Sequence, residues 1–262
     1  MGISEVVFLK PIDIIKVKKI NLNNVPCLLV RPENVKRNLP TLFHYHGWSS
    51  KKGNHIFFAK TIAQFGFQVI LPDSKFHGER DPLNDYGFEN LRDYFWDIAT
   101  QSVDEFKDMK DQAISFYNVD RDSIAVSGNS MGGYISSSIF AQDNKIKCLV
   151  CFIGGSAWIK TDEISREKGF EFSKKIDLEK AKIYDPLTYK ENFYPRPILI
   201  LHGKEDDVVP VEIQRYFYRQ VAPYYIGDNK RLRLEIHHDI KHQVGFRMVE
   251  SAAYFLDKYL HK

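Results

Sequence analysis

The chain has 262 residues, is 44% apolar and 27% charged, and sets 37 basic against 34 acidic side chains for a formal charge of +3. Such a composition builds a globular protein with a sizeable core, and it excludes collagen, coiled coil and disordered tail. So slight a positive balance makes no electrostatic case for nucleic acid or an anionic membrane.

No apolar run approaches the length of a membrane span, and MGISEVVFLKPID lacks the basic, apolar and small-residue zones of a secretory leader. A cytoplasmic protein is the expectation. Three cysteines, Cys27, Cys148 and Cys151, are too few and too odd for a disulfide framework. Cys148 and Cys151 form a C-x-x-C, but inside an apolar run of strand length. Residues three apart in a strand point to opposite faces, so their sulfurs should not converge on a metal.

Taken in order, Ile14–Ile20 and Val25–Val30 read as antiparallel strands. Thr41–Gly47 is the first of a parallel set, ending in a Gly turn. A helix over about His55–Phe65 leads through Gly66 to the second parallel strand, Phe67–Asp73. In Asn90–Tyr117 the residues Tyr94, Ile98, Val103, Phe106, Met109, Ala113 and Phe116 recur at helical spacing. Ser123–Ser127 is the third parallel strand and Ile146–Ile153 the fourth. From 158 to 195 the chain is charged, helical in pattern and rich in aromatics. Arg196–Gly203 then supplies the fifth strand, and Arg231–Ile236 alternates as a half-exposed edge strand. A closing helix carries Val249, Ala252, Leu256, Tyr259 and Leu260 on one stripe. Strands alternating with helices predict an α/β fold, a mostly parallel twisted sheet with helices on both faces. The expected organisation is a single domain, 1–262, with 158–195 a small helical cap inserted before the fifth parallel strand.

The chemistry concentrates at Gly128-Asn129-Ser130-Met131-Gly132, a G-x-S-x-G between a strand and a helix. Such a turn forces the central Ser into a strained conformation that exposes its hydroxyl at the sheet edge, with the N–H of Met131 and the helix N-terminus behind it. A Ser hydroxyl is a weak nucleophile without a base held by a third group. Candidates follow later strands: Glu205, Asp206 and Asp207 in HGKEDDVVP, and His237, His238 and His242 before the closing helix.

From Thr41 onward the chain resembles the α/β-hydrolases of the dienelactone-hydrolase and prolyl-oligopeptidase-like esterase group. The resemblance rests on His46-Gly47-Trp48, the Asp73–Arg80 segment, the Ser130 elbow and HGKEDDVVP. It implies a Ser130–His242–Asp206 triad, backbone oxyanion donors at Trp48 and Met131, and a serine hydrolase of small to medium esters. Short peptides, thioesters and lactones are alternative substrates; a fold-sharing ligand receptor without turnover is a further alternative. His46 is expected to prop the oxyanion loop and contact substrate, and His77 and Arg80 to stiffen the neighbouring loop. Trp158, with Phe170, Phe172, Tyr184, Tyr189, Phe193 and Tyr194, is expected to roof the pocket or else to glue the cap to the sheet. No cofactor and no metal are expected; the partner is a small-molecule ester, and the edge strand or the cap offers a surface for a homodimer.

Overall fold

The computed structural model describes residues 14–33, 35–169 and 177–261; the segment MGISEVVFLKPID, Phe170 and Phe172 lie outside them. Strands β1 (Ile15–Leu22) and β2 (Val25–Pro32) form an antiparallel hairpin with Leu22 opposite Val25. Its two-residue turn is Asn23-Asn24, both at positive φ (49° and 63°), the turn chemistry whose twist suits a hairpin. Then come β3 (Leu39–Tyr45), α1 (Ile56–Ala63), β4 (Gln68–Pro72), α2 (Phe88–Phe116), β5 (Val119–Asn129), α3 (Met131–Gln142) and β6 (Cys148–Phe152). The chain continues through α4 (Trp158–Glu167), α5 (Leu178–Tyr184), β7 (Ile198–Gly203), α6 (Val211–Val221), β8 (Leu232–His237) and α7 (Phe246–Leu260).

The eight strands make one sheet in the order β1-β2-β4-β3-β5-β6-β7-β8, parallel from β4 to β8. Alternation along each strand sorts the core into two layers. Phe43, Val126, Leu149, Ile198 and Ile200 pack with α2, α3 and α6. Their neighbours Leu42, Ala125, Val150, Leu199 and Leu201 pack with α1 and α7. The same parity separates the cysteines: Cys148 lies in the α7 layer, whereas Cys151 meets Gln214 of α6. All three thiols are free and buried, and burial pushes each upward from the ordinary thiol range.

Helix α6 was not anticipated from the sequence. Its signal is Pro210 at the N-cap followed by Ile213, Phe217 and Val221 at spacing four, all fully buried. Among the described residues no helix is long and apolar enough to cross a membrane.

The described part of the 158–195 segment stands on α2 and α3. Trp158, with no exposed surface, lies between Trp96 (centroids 4.9 Å apart) and Tyr184 (5.8 Å, stacked). Its indole N–H donates to the Tyr134 carbonyl at 3.3 Å. The Tyr184 hydroxyl donates to Asp104 of α2, that of Tyr189 to the Ile183 carbonyl, and Phe193 is buried on Phe140 and Phe217. Tyr194 meets Tyr225 edge-on. These rings hold the segment to the body of the fold.

After β4 a buried carboxylate organises the loop that flanks the sheet edge. Asp73, wholly buried, accepts from the Lys52 ammonium and from the backbone N–H of Lys52 and of Glu79, each at 2.9 Å. Arg80 adds a bond to the Asp73 carbonyl and a two-pronged pair with Glu105 of α2 at 2.8 and 2.7 Å. Lys52→Met removes the cation but leaves the buried carboxylate, so it should lower stability by about 3–5 kcal/mol in urea unfolding. The double variant with Asp73→Asn should recover part of that loss; an unchanged midpoint in the single variant would show that Asp73 does not depend on the ammonium.

Candidate active site

At the C-terminal end of the sheet, β5 stops at Asn129 and α3 starts at Met131, leaving Ser130 alone to make the turn. Its backbone takes φ 53° and ψ −115°, a conformation L-residues avoid. The turn closes because two glycines clear it. A Cβ on Gly128 would lie 2.1 Å from the Gly132 carbonyl oxygen, and one on Gly132 would lie 2.1 Å from that of Tyr45. The Ser130 N–H donates to Phe152 O of β6 at 3.0 Å, tying the turn to the neighbouring strand.

The loops after β7 and β8 meet above this turn. The Nε2 of His242 lies 2.9 Å from Ser130 Oγ, and its Nδ1 lies 3.0 and 2.9 Å from the two carboxylate oxygens of Asp206. The carboxylate can only accept, so Nδ1 carries the proton and Nε2 is left to accept from the Ser130 hydroxyl. Asp206 Oδ1 also accepts from the N–H groups of Val208 and Val209 at 3.0 and 2.9 Å. Burial by itself would raise the Asp206 carboxyl. Hydrogen bonds from His202 and His242, the His242 charge and the Val209 amide together outweigh burial and hold it well below the usual carboxylate range.

The competing acids and bases lie elsewhere. Asp207 is exposed and pairs with Lys241 at 3.5 Å, and Glu205 is exposed, its N–H donating to Ile240 O at 3.1 Å. His238 faces Lys204 at 3.4 Å and His237 lies 3.8 Å from Glu235.

Gly47 follows β3 so close to the turn that a Cβ there would stand 3.2 Å from Ser130 Cβ. His46 lies beneath it, 1% exposed: its Nδ1–H donates to Gly47 O at 2.8 Å while its Nε2 accepts from Ser74 N–H at 3.0 Å. Ser50 N–H donates to the same Gly47 oxygen at 3.2 Å. In a planar trans peptide the N–H points opposite the carbonyl, so pinning Gly47 O aims the Trp48 N–H away from His46. Among the described residues no protein acceptor takes the Trp48 or the Met131 N–H. Burial, reinforced by nearby His77, pushes His46 far below the ordinary imidazole range. His77 itself donates from Nδ1 to Lys75 O at 2.8 Å and packs against His46 and Trp48.

Two expected substrate contacts need correction. His46 spends both ring nitrogens on backbone and is enclosed, so it supports the loop and cannot meet a ligand. Trp158 is enclosed by Trp96, Tyr134 and Tyr184, so it does not roof the site. One contributor went unnoticed in the sequence: His202, buried at the end of β7, whose Nε2 lies 2.9 Å from Val209 O and 3.2 Å from Asp206 Oδ2. The only hint was its place at the head of HGKEDDVVP.

Known proteins resemble the chain along most of its length. The model of the prolyl oligopeptidase family matches residues 59–262. The chain is 26% identical over 257 residues to "Putative esterase YitV" of Bacillus subtilis (strain 168), covering 94% of this chain and 100% of that protein. It is 27% identical over 256 residues to "Esterase YjfP" of Escherichia coli (strain K12), with coverage of 94% and 100%. TT1662 from Thermus thermophilus has the same fold, with a TM-score of 0.77 at 19% identity over 95% of this chain and 99% of that one. The sheet order, the helices on both faces and this likeness make it the α/β-hydrolase fold.

The backbone contacts at the turn make a stability prediction. Gly132→Ala forces a methyl against the Tyr45 carbonyl, and β3 and α3 would have to separate to admit it. Circular dichroism on heating should show a variant that fails to fold or melts well below the parent. A melting temperature equal to the parent's would mean the turn is looser than described.

Proposed function

The chain belongs to the prolyl oligopeptidase family, and from that premise we propose that it is a serine hydrolase of small to medium carboxylic esters, with Ser130 as nucleophile, His242 as base and Asp206 as the acid behind it. The observation that carries the reading is the unbroken line of hydrogen bonds from Ser130 Oγ through His242 to Asp206. Ser130 Oγ attacks the carbonyl carbon as its proton passes to His242 Nε2. Asp206 stabilises the resulting imidazolium through Nδ1–H. The N–H groups of Trp48 and Met131 take the oxyanion, a contribution of about 10²–10³ in turnover per donor in comparable sites. His242 then returns its proton to the leaving alcohol, and a water, activated by the same imidazole, releases the acid.

Esters are favoured over peptides because two relatives matched along their whole length bear the name esterase. Short peptides, thioesters and lactones use the same machinery and differ in the leaving group. The segment 158–195 is read as an insertion within one domain, 1–262, and free buried thiols support a cytoplasmic setting. The β8 edge or this insertion offers a surface through which two copies could pair.

Hydrolysis of p-nitrophenyl esters of rising acyl length tests the assignment. Ser130→Ala and His242→Ala should lose about 10⁵–10⁶ of kcat, and Asp206→Asn about 10⁴, with the fold retained. Variants within tenfold of the parent would refute it. Acidity supplies a second check. Asp206, held below the usual carboxylate range, stays ionised in mildly acidic solution. Its own protonation should therefore add no proton to the acid limb of kcat/KM down to about pH 4. An Asp206 carboxyl seen to protonate above that pH would show that it is not held down as described.

A further inference from the structure

His202 sits in a strand whose preceding four residues, Ile198 to Leu201, are all apolar and fully buried. Its ring is as buried as theirs. Both neighbours of Nε2, the Val209 carbonyl at 2.9 Å and Asp206 Oδ2 at 3.2 Å, only accept, so the ring proton is on Nε2, donated to Val209 O with Asp206 Oδ2 beside it. Nδ1 has no partner among the described residues. A buried ring nitrogen without a partner costs stability that a leucine in this strand would not. The N–H is what the histidine brings.

We propose that His202 is a positioning residue for the hydrolytic site, fixing the plane of the Asp206 carboxylate against His242. The inference rests on the hydrolase reading above. The Val208 and Val209 amides both bind Oδ1, so by themselves they form a pivot about which Oδ2 can swing. His202 restrains Oδ2, and by donating also to Val209 O it anchors that restraint in the turn that holds Oδ1.

The test uses the rate at which a fluorophosphonate inactivates the full-length protein, which reports Ser130 activation without any assumption about the natural substrate. His202→Leu removes the donor; His202→Gln puts an amide N–H at nearly the same reach. His202→Leu should react about 10- to 100-fold more slowly at neutral pH. His202→Gln should stay within about threefold of the parent. A folded His202→Leu with the parent's rate would overturn the proposal, as would a His202→Gln as slow as His202→Leu. If His202→Leu does not fold, long-range ¹H–¹⁵N correlation on the parent decides: a proton on Nε2 supports the proposal, and one on Nδ1 defeats it. Failure of the parent to be labelled at Ser130 rejects the hydrolase reading and this proposal with it; a labelled parent with an indifferent His202→Leu rejects this proposal alone.

Discussion

The left-handed backbone of Ser130 is the constraint on which the rest of the site depends. A chain that leaves a strand and enters a helix with one residue between has no room for side chains on its inner side. Gly128 and Gly132 supply that room, at distances no Cβ tolerates. The tightness has a consequence for topology. With α3 pressed onto the end of β3, and Ser130 N–H bonded to β6, strand β5 lies between the two, so the hydroxyl emerges at the middle of the parallel array. Loops from both sides can reach only such a central point.

Two buried carboxylates flank that point, and they are satisfied in different ways. Asp73 holds an ammonium, which neutralises it and makes it a structural tie between the loop after β3 and the loop after β4. Asp206 faces two amides and two imidazoles, and among the described residues no lysine or arginine pairs with it. Hydrogen bonds together with the His242 charge keep it ionised, and no fixed cation takes the carboxylate from His242 Nδ1. Exchanging the two solutions would spoil both places. An ammonium at Asp206 would compete with the imidazolium, and neutral donors at Asp73 would leave a buried charge in a purely structural loop.

Much of this was legible in the sequence because it follows from spacing. Short apolar runs between helical patterns placed the parallel strands, the two-residue period of a strand separated Cys148 from Cys151, and the G-x-S-x-G string placed Ser130 at a strand-to-helix turn. Choosing among Glu205, Asp206 and Asp207, or among His237, His238 and His242, required the family resemblance, since neighbours in a loop have no period to tell them apart. Other features left no trace of that kind. Whether Trp158 faces a pocket or a helix depends on partners from α2 and α5, and an aromatic-rich segment has the same composition either way. His202 lies in register with apolar residues, and its role arises from a turn that folds Asp206 and Val209 back onto it. Helix α6 follows so closely on the acid-bearing loop that its apolar stripe went unread beside the motif.

Acid and base are both carried by irregular segments, after β7 and after β8, and the placement of the base is secured through the acid's loop. Gly203 comes so near the segment after β8 that a Cβ there would lie 2.3 Å from the Ile240 carbonyl oxygen. Around that contact Lys204 N–H donates to His237 O at 2.8 Å and Glu205 N–H to Ile240 O at 3.1 Å. These two backbone bonds bracket the approach of the β8 loop to β7, so His242 and Asp206 are carried on joined loops. Ser130 belongs to the β5–α3 turn, and the 2.9 Å bond from His242 joins that turn to the paired loops. Holding acid and base on joined loops fixes the Nδ1–H bond that sets the imidazole's tautomer separately from the contact to the nucleophile.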